Sequence, residues 1–205
     1  MSTIKAFAGL VILLIAGTFL SCSSTKLVSA WKDSQYAGGY LNRVLVVGLS
    51  DTTEHREQFE AMLTERLKER GIYAVSLANV LPSEQKVEKD SIKGKALELG
   101  MDSIFVTHFV GIEEREVYYP PQRQSDLESL RFGDYYAFGR YEIAQPGYYD
   151  TANYFRLESN LYETATEKLI WTAFSEIRDP TSVDEIIESQ CDIVMKNLRK
   201  NRLVP

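Results

Sequence analysis

Gly48-Leu49-Ser50-Asp51-Thr52 is the stretch of this 205-residue chain that comes nearest to a catalytic motif. It follows the apolar run Val44 to Val47 and precedes a helical pattern, the strand–turn–helix setting of a nucleophile elbow. In that chemistry Ser50 attacks a carbonyl and an imidazole such as His108 takes its proton. The second glycine of G-x-S-x-G, which permits the sharp turn, is replaced here by Thr52. His108 alternates with Ile104, Val106 and Val110 and so reads as a strand residue. Ser50 and Asp51 therefore read first as residues that start a helix. Their second reading is as polar groups at a ligand site beyond the carboxyl ends of parallel strands. A phosphate cradle needs several glycines, and this loop has one. The carboxylate pairs Glu57-Glu60 and Glu113-Glu114 read as solvated faces. With two histidines and two cysteines in the chain, neither a metal site nor a cofactor is expected, and the chain reads as a non-enzyme.

Tyrosines offer a second kind of chemistry. Tyr118-Tyr119, Tyr135-Tyr136 and Tyr148-Tyr149 recur within a Tyr-rich insertion, residues 118–151, with Phe132, Phe138 and Tyr141 between them. Tyrosine combines flat apolar area with an O–H and loses little rotamer freedom on contact, which suits a binding surface. Tyr135, Tyr136, Phe138 and Tyr141 are the residues expected to grip a protein partner of the cell envelope or to stack on cell-wall glycan. The alternative is that these rings fold back over the sheet, or stay mobile and bind nothing.

Cys22 is the remaining reactive group. Lys5 is followed by the uncharged run Ala6 to Ser21, too short for the ~20 residues of a membrane-spanning helix and suited to a signal-peptide core. Phe19-Leu20-Ser21-Cys22 resembles the lipobox of bacterial lipoproteins, departing from it at Phe19 and Leu20. That resemblance implies cleavage before Cys22, acylation of its thiol, and a mature chain held to a membrane by lipid. In a Gram-negative host Ser23 then favours the outer membrane, with the domain facing the periplasm. Cys191, left alone, cannot form an internal disulfide and reads as a buried, inert thiol.

The full chain carries a formal charge of −6, and loss of residues 1–21 makes it more negative. An acidic chain lacks the concentrated positive face that nucleic acid requires. The cationic cluster Lys196, Arg199, Lys200 and Arg202 suits the negative end of a terminal helix.

Residues 22–40, polar and Gly-containing, read as a tether. From 41 to 205 a single domain is expected. Val44 to Val47 is a strand buried on both faces; Asp51 offers a helix cap, and Phe59, Met62, Leu63 and Leu67 form an apolar stripe. Ile72 to Leu77 is a second strand. A helix after Asp90 ends at Gly100, and a third strand runs from Ser103 toward Tyr119. Asn153 to Leu161 and Lys168 to Ile177 form an antiparallel hairpin at one edge of the sheet. Ser182 and Glu185 make a capping box for the last helix, whose stripe is Val183, Ile186, Ile187, Cys191, Val194 and Leu198. The expected fold is α/β: a mixed five-stranded sheet, parallel β-α-β-α-β plus the hairpin, covered by about three helices.

Val44 to Ser50, the segment Leu161-Tyr162-Glu163-Thr164-Ala165-Thr166-Glu167-Lys168-Leu169-Ile170-Trp171, and the lipobox together resemble an uncharacterised family of envelope lipoproteins, a domain-of-unknown-function group. The layout is also similar to the amino-terminal domain of the TolB-type envelope protein. Family members carry Gly where this chain has Glu167, which implies strain or a different turn there. The function expected is that of a lipid-anchored interaction or scaffolding module. The alternative is an envelope hydrolase or small-ligand domain with its site at Ser50 and Asp51.

Overall fold

The computed structural model describes residues 24–81, 88–120, 131–144 and 147–205. Cys22 and the segment before it lie outside the described residues. The elements are β1 (Ser24–Lys32), β2 (Arg43–Leu49), α1 (Thr53–Lys68), β3 (Tyr73–Ser76), α2 (Lys89–Glu98), β4 (Ser103–Tyr119), α3 (Phe132–Ala144), β5 (Tyr148–Glu163), β6 (Leu169–Arg178) and α4 (Val183–Lys200). They build one mixed sheet in the order β1-β6-β5-β4-β2-β3. Strands β3, β2 and β4 are parallel, while β5, β6 and β1 follow antiparallel.

The α/β class stands, with two differences in count. The sheet has six strands rather than five, and the described residues hold four helices rather than three. The extra strand is β1, in the segment expected to be a tether. Of its apolar residues only Leu27 packs on the core, and its order comes from pairing with β6, from Ser24 opposite Arg178 to Lys32 opposite Trp171. The hairpin β5–β6 is therefore interior, and β1 takes the edge.

Strand β2 is buried on both faces, as its unbroken apolar run implies. On one face Val44, Val46, Phe105, Leu161 and Trp171 meet Phe59, Leu63 and Leu67 of α1 and Ile187, Cys191, Val194 and Leu198 of α4. On the other face Leu45, Val47 and Ile104 meet Leu77 and Ala96. That second cover is short, and it leaves the outer face of β4, β5 and β6 to polar side chains.

Capping follows the sequence in part. Ser182 Oγ accepts from Glu185 N at 3.1 Å, and the Glu185 carboxylate accepts from Thr181 N and Oγ. Helix α1 is capped at Thr52 with no side-chain hydrogen bond, so Asp51 is not the cap expected of it. Glu167 has φ +58°, the left-handed conformation that glycine adopts cheaply. Its carboxylate pairs with Lys89 at 2.6 Å and with Lys93, which holds it down to about 2 and ties the hairpin turn to α2.

On the open face the Arg115 guanidinium bridges Glu113 and the buried Glu176, and Arg156 reaches both. Hydrogen bonds from Arg115 hold the carboxyls of Glu113 and Glu176 below the usual range. A carboxyl depressed in the folded state stabilises the fold above its unfolded pKa, ~4.3, and that contribution is lost as pH falls through the lower folded value. Glu176→Gln is expected to cost roughly 1 kcal/mol at pH 7, since Arg115 is half solvated. The deficit should shrink in urea titrations run progressively below pH 4.3. A deficit independent of pH would remove the ion pair from the explanation.

Candidate functional site

The described residues form a cleft of about 850 Å³ where β2 and β4 end, between the first turns of α1 and α4. This is the carboxyl end of the parallel strands, where open α/β sheets place ligands. Gly48 makes it possible. A Cβ there would sit 3.2 Å from Arg56 Cγ and 3.3 Å from Phe59 Cδ1, so any larger residue would push these side chains of α1 back by a few tenths of an ångström.

The same contact is pinned from below by Glu60. Its fully buried carboxylate accepts from Gly48 N at 2.9 Å, Ser76 Oγ at 2.8 Å and Ala78 N at 2.7 Å. Glu60 was expected on a solvated face, and that reading is corrected. It lies three before Leu63 and seven before Leu67, inside the buried stripe, and a helical phase check would have found it. Glu57 keeps the exposed position expected of it.

The cleft wall is mainly apolar: Leu49, Phe109, Phe155, Leu157, Val183 and Ile186 all contribute. The rings of Phe109 and Phe155 are 6.1 Å apart, beside a β-bulge whose Gly111 has φ +153°. Val183 and Ile186, expected in the core stripe of α4, face the cleft instead, and Val183 is 37% exposed. The polar floor is self-contained. Thr107 Oγ1 and Ser159 Oγ are 2.6 Å apart, Gln190 Nε2 donates to Ser159 Oγ at 2.9 Å, and Ser175 Oγ donates to Gln190 Oε1.

Ser50 and Asp51 do lie on the cleft. Ser50 Oγ accepts from Thr52 N at 3.2 Å, and among the described residues no imidazole is hydrogen-bonded to it. His108 also lines the cleft, and its Nε2 lies 3.6 Å from Glu158 Oε2 on the neighbouring strand. His55 and Arg56 stand at the mouth, and Arg56 Nε is buried without a partner among the described residues. The arrangement sets an apolar wall beside the Arg56 guanidinium. Among the described residues no group of three or more His, Cys, Asp or Glu side chains is placed to hold a metal ion.

The four aromatic residues of the insertion fall on α3, but not on one face. At ~100° per residue, Tyr135 and Tyr136 lie on a stripe with Phe132 and Ile143, while Phe138 and Tyr141 point away from it. Phe132 and Ile143 are 83% and 84% exposed, more than any of the four named from the sequence. Cys191 is buried, and burial pushes its thiol to about 12, as befits an inert group.

No protein-family model and no curated protein matches the chain, so the expected kinship with the domain-of-unknown-function group finds no support there. Among solved structures it is similar to the lipoprotein GNA1162 of Neisseria meningitidis, at 13% identity over 78% of this chain and 99% of that one, with a TM-score of 0.43. It is also similar to a PelC dodecamer of Paraburkholderia phytofirmans, at 9% identity over 82% and 91%, with a TM-score of 0.41. At these scores the likeness assigns neither activity nor partner. Among the described residues no helix is long and apolar enough to cross a membrane.

Proposed function

We propose that the chain is an envelope lipoprotein, anchored through lipid on Cys22, that binds an apolar group and catalyses nothing. One observation carries this reading: the cleft at the ends of β2 and β4 has an apolar wall and a polar floor already bonded to itself. Leu49, Phe109, Phe155 and Val183 would hold an acyl-like chain, and Arg56 would face a polar or anionic end. In a Gram-negative host the domain would hang from the outer membrane into the periplasm. The aromatic surface on α3 is its second contact with the envelope, in keeping with a scaffolding role.

A dansylated undecanoic acid probe tests the cleft. Binding to the purified protein should raise its emission saturably. Val183→Asp puts a charge on the apolar mouth at a helix start that favours an acid, so the fold is kept and affinity should fall roughly tenfold, ~1.4 kcal/mol. Undiminished affinity in this variant, or no uptake by the parent chain, removes the cleft as the binding place. In cells, Cys22→Ala should abolish incorporation of a labelled fatty acid into the chain.

A further inference from the structure

The residues Ser24, Arg178, Tyr154 and Glu113 form one row across β1, β6, β5 and β4. Beyond that row β4 and β5 continue alone as a two-stranded ribbon, ending six residues later at Tyr119 opposite Tyr148, about 20 Å further out. The ribbon coils back. Arg178 donates to the Tyr119 hydroxyl and its guanidinium carbon lies 5.5 Å from the centre of that ring. The ribbon tip thus stands beside the strand end from which the chain leads to Cys22, two residues up-chain of Ser24 and within ~7 Å by chain length.

Both faces of the tip are aromatic. Tyr118 and Tyr149 meet at 5.2 Å on one face, and Tyr119 and Tyr148 stack at 5.2 Å on the other. Helix α3, which follows β4 and precedes β5 in the chain, exposes a further set, Phe132, Tyr135, Tyr136 and Ile143, with the rings of Phe132 and Tyr136 6.2 Å apart. This much exposed apolar surface on one element marks a contact site. Charge on the helix is sparse: Arg140 lies beside the stripe and Asp134 on the opposite side. Tyrosine, phenylalanine and isoleucine without a dominant charge suit the headgroup layer, where rings sit with one edge apolar and one edge wet.

We propose that the ribbon tip and the α3 stripe lie in the headgroup layer of the bilayer that holds the lipid of Cys22. This inference rests on the Cys22 anchor. The anchor delivers the tip to the membrane at high effective concentration, so weak contacts suffice. Two attachments, one covalent and one aromatic, fix the domain's orientation where lipid alone would leave it free to swing. The carboxyl end of the parallel strands, and with it the cleft, then faces the membrane.

The test uses the full acylated chain in vesicles of phosphatidylethanolamine with a minor share of phosphatidylglycerol. Gly139 lies on the stripe, and a Cβ there meets nothing within 4 Å, so Gly139→Cys accepts an environment-sensitive fluorophore without removing an aromatic ring. Cys191 is buried and its thiol is pushed to about 12, so it does not compete for the label. A label at Glu69→Cys, at the far end of α1, is the reference. Brominated lipid should quench the Gly139 label roughly twofold, as for a helix embedded ~5–10 Å, and leave the Glu69 label unchanged. Vesicle flotation reads the anchor separately. A chain that does not float overturns the anchor and the inference together. A floating chain whose two labels respond alike overturns the inference alone, as does a Gly139 label shielded only after envelope protein extract is added.

Discussion

Trp171→Ala should cost about 3–5 kcal/mol, a third or more of the stability of an ordinary domain. Trp171 sits in β6 between β5 and β1, fully buried, with its ring 6.0 Å from Phe105. Its Nε1 donates to Asn197 Oδ1 at 2.9 Å, which binds the sheet to α4. Alanine loses the apolar burial, opens a cavity and strips the hydrogen bond. Trp171→Phe separates these terms. It keeps most of the volume and the stack on Phe105, and Asn197 Oδ1 still accepts from Asn201 Nδ2 at 2.8 Å. Its cost should be nearer ~1–2 kcal/mol. Urea unfolding with unchanged slope and lowered midpoint is the readout. An alanine variant within ~1 kcal/mol of the parent would show that the site collapses around the loss.

The parts of the chain that announce themselves are those whose burial follows one period. Val44 to Val47 has no polar break because β2 is covered on both faces, and the α4 stripe repeats because one side meets the sheet. Strand β1 gave no such sign: an edge strand borrows its hydrogen bonds from β6, and only Leu27 among its residues packs on the core. The aromatic insertion hid its structure for the opposite reason. Apolar residues surround α3 on every side and alternate on both faces of the ribbon tip, so neither helical nor strand period stands out. The β-α-β order points to the carboxyl ends of the parallel strands, and Ser50 and Asp51 lie there. The wall opposite them has no such pointer, because Phe109, Phe155 and Val183 come from three distant elements that only the folded sheet brings together. Residues 121–130, within the insertion, lie outside the described residues.

Glu60→Ala should rival the tryptophan change, at about 3–5 kcal/mol, with no ring lost and little volume removed. The cost comes from what stays behind. Gly48 N, Ser76 Oγ and Ala78 N all donate to this one carboxylate, which is fully buried, so truncation leaves three donors without their acceptor. Glu60→Gln is the sharper comparison. An amide oxygen in the Oε2 place keeps Ser76 and Ala78, but its nitrogen then confronts the Gly48 N–H, donor against donor, for roughly 1–3 kcal/mol. Because Gly48 forms the rim of the cleft, the glutamine variant should also weaken the dansylated probe, and amide exchange should quicken at Gly48 more than at Ala78. Equal exchange at both amides would mean that the carboxylate supports the core in general and does not hold the cleft open.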